Sequence, residues 1–372
     1  MLSGLPLRDL KQQAWRREVA KFDLSLDLTK FSLSIEEIVS ITDREGVDAR
    51  LITNAAELLF GPFEGRDIRS KLLAKESILL VQGLEQYFKS VRGLILSHFD
   101  FIPAWQLDDV MGSVNYNPAS CGAHFDQYDV FLLQHTGEKK WYFDERVHCD
   151  DDLDENSEIR LLKNFSPSSE IVAREGDLIY VPPGVGHHGL AEGESITLSI
   201  GIRNPTPIEI LGDFSSFLMS ELSNQSPLSS ELFSGEDEIP DKFIKEIKSY
   251  LDSACSTENI EDWAGSYSTN LNEPILLGPA DMLSLSSRSL LSASLTSRFA
   301  YKIRGDKALF FVNGDKYALN RSDLNWIEAL IKNRECRYEP DTSSAGKSCI
   351  EEMLSSGAIT FTEGKKLKNH SR

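Results

Sequence analysis

Six short stretches between residues 111 and 203 constrain the fold of this chain more than any other feature. Residues 111–116, 124–134, 139–143, 170–173, 177–181 and 196–202 have strand character, and Gly, Pro or acidic turns separate them. Short strands in this number predict a sandwich or barrel. Helices flank it, giving an α+β chain. Ser34-Ile35-Glu36-Glu37 reads as a capping box opening a short helix. Ile78, Leu79, Val81, Leu84, Tyr87 and Phe88 have helical spacing, which predicts a helix over 75–91.

The strand run carries a metal pattern. His124-Phe125-Asp126 places two polar side chains at i and i+2, hence on one face of an extended segment, and Tyr128 and Val130 continue that inward row. His187 follows sixty-three residues later, beyond Val181-Pro182-Pro183-Gly184, a strand end and a turn. Two histidines and one carboxylate form the facial triad that holds iron(II) and leaves three positions open. A His-x-Asp pair alone is more often a chance surface pair. The apolar strand around it and the Pro-Pro-Gly turn before His187 favour the metal. His188 is a rival ligand expected to face outward, while His98, His135, His148 and His370 lack a partner pattern. Cys121 and His148-Cys149 raise a zinc alternative, but no second cluster supplies four convergent ligands, and Cys121 reads as a small residue lining the site.

An anion anchor follows in Thr136-Gly137-Glu138-Lys139-Lys140-Trp141. If Trp141 packs inward, alternation turns Lys139 inward and Lys140 outward. A lysine inside a barrel calls for an anion, and a dicarboxylate would supply one; the alternative puts both lysines on the surface at a turn. Ser113 and Asn115 share a parity on the opening strand, and Thr197 and Ser199 share one on the last. All four are candidate cosubstrate contacts.

Pro205 and Pro207 end the strand module. Helices are expected near 208–223, 241–254 and 259–270, with an exposed acidic connection over 224–240. A Ser/Leu-rich run from about 280 leads into strands at 299–303, 308–312 and 316–319, with Asn313-Gly314 as a hairpin turn. Helices at 322–332 and 348–355 and a strand at 358–362 complete a winged-helix-like unit. The expected organisation is 1–205, 206–280 and 281–372.

A formal charge of −19 disfavours binding to nucleic-acid phosphates and suits a basic partner, although acidity alone also keeps a protein soluble. Eight acidic residues face one arginine between Asp144 and Glu158, a loop that would draw in a basic substrate if it rims the site. Five scattered cysteines without a CxxC pair, and no apolar run suited to a leader or a membrane span, lead to a cytoplasmic expectation.

Gly122-Ala123-His124-Phe125-Asp126-Gln127-Tyr128-Asp129-Val130-Phe131, the 136–141 segment and Gly176-Asp177-Leu178-Ile179-Tyr180-Val181-Pro182-Pro183-Gly184 resemble the bacterial ribosomal oxygenases. So do Trp105-Gln106-Leu107-Asp108-Asp109-Val110-Met111 and Gly61-Pro62-Phe63-Glu64. These are JmjC-type cupins dependent on iron(II) and 2-oxoglutarate. The resemblance covers residues 57–205 and implies a double-stranded β-helix, then a helical dimerisation region and a winged helix. It implies iron(II) on His124, Asp126 and His187, and a cosubstrate contact at Ser113. Lys139 would pair with the distal carboxylate of 2-oxoglutarate, where the best-known bacterial member uses arginine. Oxygen and 2-oxoglutarate would yield succinate, carbon dioxide and a hydroxylated side chain. In the bacterial members that side chain is an arginine of the sixteenth-named protein of the large ribosomal subunit, with Tyr128 a candidate substrate contact here. A homodimer is implied. The alternatives are a histidyl hydroxylase, a lysyl demethylase or a non-catalytic metal-binding cupin. Two departures stand out: Trp15-Arg16-Arg17-Glu18-Val19 lacks the family's proline, and Thr197 alone represents the polar residue late in the barrel.

Overall fold

The computed structural model describes residues 2–5, 9–23, 27–53, 57–74, 76–99, 101–221, 238–271, 289–339 and 341–363. The Ser/Leu-rich run as far as residue 288, His370 and the acidic connection as far as residue 237 lie outside them. Two compact units, Met1–Asn204 and Pro205–Arg372, divide the chain.

The first unit opens with β1 (Leu2–Leu5), α1 (Leu10–Gln13), β2 (Ala20–Asp23), α2 (Ile35–Val39), β3 (Ala49–Thr53), β4 (Leu58–Phe60) and α3 (Gly65–Ala74). It continues through β5 (Ser77–Val81), α4 (Leu84–Tyr87), α5 (Lys89–His98), β6 (Leu107–Asn115), β7 (Asp129–Thr136) and β8 (Lys139–Val147). It closes with β9 (Ser169–Ala173), β10 (Asp177–Val181), β11 (Val185–Ala191) and β12 (Ser195–Ile202). Nine strands form one sheet in the order β1-β2-β10-β7-β12-β6-β5-β3-β4, and β11-β8-β9 form a second.

Alternation along the strands builds two cores from one sheet. Phe131, Leu133, Leu178, Tyr180, Leu198 and Ile200 point to the helices, while Val130, Leu132, Ile179 and Val181 meet Trp141, Phe143 and Ile171 of the second sheet. Each such side chain contributes about 1.5–3 kcal/mol by leaving water. The amino-terminal segment seals the helix side. Trp15 stacks on Tyr180 with ring centroids 5.5 Å apart, the Arg16 N–H donates to the Tyr180 hydroxyl at 2.8 Å, and that hydroxyl donates to buried Asp129.

The Ser34 capping box is present, with Glu37 accepting from the Ser34 N–H at 2.8 Å. The helix expected over 75–91 is replaced by β5 and α4. Ile78, Leu79 and Val81 lie on a strand buried on both faces, where an unbroken apolar run mimics helical spacing. Gly83, at φ +67°, makes the break that starts α4.

The second unit contains α6 (Pro207–Glu221), α7 (Asp241–Ala254), α8 (Thr257–Thr269), β13 (Ser289–Ala293), β14 (Phe299–Arg304), β15 (Lys307–Val312) and β16 (Asp315–Asn320). Then follow α9 (Leu324–Asn333), β17 (Glu335–Arg337), α10 (Ser344–Ser355) and β18 (Ile359–Glu363). Asn313 and Gly314, at φ 52° and 98°, close the β15–β16 hairpin as a turn with both central residues left-handed. Arg304 and Lys316 bond Asp262, so the β14–β16 meander is tied to α8. Among the described residues no helix is long and apolar enough to cross a membrane.

Candidate metal centre

The triad is assembled by backbone pairing. His124 and Asp126 lie in the connection from β6 to β7, which is extended only locally, and His187 lies on β11 and not in the turn before it. The His124 N–H donates to the His187 carbonyl at 3.0 Å, and the His187 N–H returns to the His124 carbonyl at 2.8 Å. The Gly184 N–H holds the Asp126 carbonyl at 2.7 Å. Strand parity survives although the regular strand starts later, since His124, Asp126, Tyr128, Val130 and Leu132 all line one pocket.

Local bonds aim the side chains. His124 Nδ1 lies 3.0 Å from the Gly122 carbonyl and His187 Nδ1 lies 3.1 Å from the Val185 carbonyl. A proton on each Nδ1 leaves each Nε2 as the free donor atom. The two rings are 4.3 Å apart and His187 Nε2 is 3.6 Å from Asp126 Oδ2. One donor atom from each residue falls within 4.8 Å of the others. Burial and then the charge on neighbouring His124 lower the His187 pKa to about 4, which favours its neutral form. Against burial, Cys121 and then Asp126 raise that of His124 to about 10, so a metal there would displace a proton. Two imidazoles and one carboxylate fit a divalent ion of intermediate softness with open positions. This triad is the one metal-competent grouping among the described residues. Cys121 lines the pocket 3.9 Å from His124 Nδ1, and His188 sits between Tyr142 and Phe165.

The pocket is also lined by Lys139, 2% exposed, while Lys140 on the other face is partly exposed. The Lys139 ammonium donates to Ser113 Oγ at 3.1 Å and stands 5.0 Å from the Trp141 ring centroid. Gly189 admits this pair, because a Cβ there would come within 2.8 Å of Lys139 and Trp141. Burial lowers the Lys139 pKa to about 8. Among the described residues no carboxylate pairs with it.

Ser113, Tyr128, Thr197 and Ser199 line the same pocket. Thr197 donates to Gln134 Oε1 at 3.0 Å, and Gln134 in turn donates to Ser195. Asn115 stands apart: its amide donates to the Asn117 and Gly193 carbonyls, each at 2.7 Å, and it is not a lining residue. Asp109 and Gln82 line the pocket and were not among the expected residues. Extending the Ser113 parity backward along β6 through Met111 reaches Asp109. The acidic loop touches this region, with Gln127 donating to Asp150 at 3.0 Å and the Leu162 N–H to the Ala123 carbonyl at 2.9 Å.

The family model described as the JmjC domain matches residues 94–210. A protein of Haemophilus influenzae named "Probable ribosomal oxygenase" is 35% identical over 178 residues, a match spanning 46% of this chain and 43% of that protein. The ribosomal protein uL16 3-hydroxylase of Escherichia coli is 24% identical over 289 residues, 73% of this chain and 74% of that one. The structure of YcfD, a ribosomal oxygenase from Escherichia coli in complex with cobalt and 2-oxoglutarate, has a TM-score of 0.77 at 21% identity, covering 96% and 98% of the two chains. The JmjC cupin fold expected from the motifs is thus borne out. Residues 94–210 match the JmjC domain, and the chain is similar in sequence and fold to bacterial ribosomal oxygenases.

Proposed function

We propose that this chain is an iron(II)- and 2-oxoglutarate-dependent oxygenase that hydroxylates an arginine side chain of a large-subunit ribosomal protein. One observation carries the reading: a pocket holds the His124–Asp126–His187 triad and, on its wall, a buried ammonium that no carboxylate among the described residues neutralises. A dicarboxylate with one end at the triad and the other at Lys139 satisfies both. Iron(II), when bound, supplies open positions for 2-oxoglutarate and oxygen and so the oxidative decarboxylation that puts one oxygen atom on a substrate carbon.

The chain's own residues do the rest. Lys139 and the Ser113 hydroxyl hold the distal carboxylate; the lysine acts as a point charge without the two-pronged grip of arginine. Thr197, fixed by Gln134, and Ser199 shape the same wall. Trp141 covers the ammonium and keeps water from it. Asp109 and the half-exposed Tyr128 line the pocket too. Neighbouring Asp126, then burial and Asp109, push the Tyr128 pKa up, so its hydroxyl stays a donor. Carboxylates around a donor suit a cationic side chain such as arginine, and the names of the relatives support a ribosomal protein as its carrier.

The purified protein, supplied with iron(II), 2-oxoglutarate and whole ribosomal proteins, should form succinate and add one oxygen to an arginine of a large-subunit protein. Both signals should fall to background in His124→Ala and Asp126→Ala. Oxygen on a histidine, or loss of a methyl group, would replace the arginine reading with a histidyl hydroxylase or a demethylase. No consumption of 2-oxoglutarate would leave a metal-binding cupin. Exposed Ile208, Leu211 and Met219 on α6 and Leu251 on α7 support homodimerisation of the helical region, and a monomer in sedimentation would remove that part.

A further inference from the structure

His148 lies outside the pocket, and nothing in the reaction above uses it. It is 5% exposed, and each ring nitrogen faces a carboxylate: Nε2 is 3.3 Å from Asp144 Oδ2 and Nδ1 is 3.5 Å from Asp152 Oδ2. Nε2 is buried and makes no hydrogen bond, so these carboxylates act on the ring through proximity and charge. Asp144 is itself fixed, since hydrogen bonds from Arg146 and the Ser166 N–H hold its carboxyl well below the usual carboxylate range.

The ring touches both halves of the triad's scaffold. It stacks on Phe125, centroids 6.1 Å apart and planes at 26°, and Phe125 sits between His124 and Asp126. With its Nε2–Cδ2 edge it lies against Gly186, the residue before His187, beside Leu162. A Cβ at Gly186 would stand 2.9 Å from His148 Nε2, so glycine here lets the imidazole reach the backbone. The main chain repeats the link. The His148 N–H donates to the Gly184 carbonyl at 2.8 Å, and the Gly184 N–H donates to the Asp126 carbonyl at 2.7 Å.

We propose that His148 is a positioning residue: packed against Phe125 and Gly186, with Asp144 and Asp152 beside its ring nitrogens and its own N–H bonded to Gly184, it sets the spacing between the two segments that carry the triad and thereby the affinity for the metal. The inference rests on the metal reading of His124, Asp126 and His187. Supports beyond the ligands themselves tune metal sites because three rigid donors must converge on one point.

The test uses the metal-free full-length protein titrated with cobalt(II) and followed by visible absorption, with thermal melting of the same samples as a separate measure of folding. His148→Ala should weaken cobalt(II) binding by about ten- to a hundredfold, with His148→Gln, which keeps a polar group of similar reach, recovering part of it. Gly186→Ala retains the imidazole but crowds it and should also weaken binding. A His148→Ala protein that binds cobalt(II) as tightly as wild type overturns the proposal, whether or not its melting temperature drops, because a merely structural residue would change melting alone. If His148→Ala does not fold, Gly186→Ala decides: weakened binding supports the role and unchanged binding overturns it. Wild-type protein that fails to bind cobalt(II) would instead overturn the metal reading itself.

Discussion

Asp323 in the Pro205–Arg372 unit is 1% exposed and receives hydrogen bonds from the Asn320 N–H, the Trp326 indole, and both the N–H and the hydroxyl of Ser343. Lys139 in the Met1–Asn204 unit is 2% exposed and has one hydroxyl and one aromatic face. Both are charges sealed from water, but the chain completes only one of them. Asp323 ties the turn before α9 to the start of α10, so its donors belong to the fold. Lys139 lines the same pocket as the triad. A buried charge with its full set of partners marks architecture; one left short marks a place for a ligand.

The comparison can be broken at either end. Asp323→Ala strands four donors and should destabilise the protein by about 4 kcal/mol in a denaturant melt. A loss below about 1 kcal/mol would show that Asp323 is not a structural hub. Lys139→Met should behave oppositely. Without ligand it should stabilise the fold by about 1–3 kcal/mol, because a buried cation disappears. With 2-oxoglutarate it should cost about a hundredfold in affinity by calorimetry, the worth of one charged hydrogen-bonded contact. The stabilisation has a definite pH sense. The folded pKa of Lys139, about 8, lies below its unfolded value of about 10.4, so its penalty is full below pH ~8 and fades as pH rises toward ~10.4. An advantage of Lys139→Met that grew with pH would contradict the burial argument. Ser113→Ala tests the smallest contribution. It removes one neutral hydroxyl and should weaken 2-oxoglutarate about fivefold, with an unchanged constant showing that Ser113 serves only the ligand-free lysine.

Strand parity made much of this site readable in advance. His124, Asp126 and Tyr128 follow one two-residue period, and Lys139 and Trp141 another, and all five line the pocket. Parity failed for Asn115, at the end of β6, where the nearby Asn117 and Gly193 carbonyls offered its amide closer partners. Val185–Ala191 was not legible as a strand, because Val-Gly-His-His-Gly-Leu-Ala has two glycines and no clean alternation; only its pairing with β8 fixes it. Gln134 and His148 act through contacts sixty-odd and some forty residues away, and no local pattern encodes those. The helix expected near 75–91 failed because a strand buried on both faces has no polar period to set against a helical one.

The reciprocal bonds between His124 and His187 bear on how the protein would acquire the proposed metal. Those bonds are made of main-chain atoms, so the two imidazoles are brought into register by strand pairing and need no ion to organise them. If the proposed metal binds here, loading would be a late event, in contrast to small zinc modules in which folding and metal uptake are one transition. On the metal reading proposed above, the folded chain would take up and exchange the ion without rebuilding its scaffold, which would leave cellular metal supply, and not folding, to decide how much of the protein is charged at a given moment.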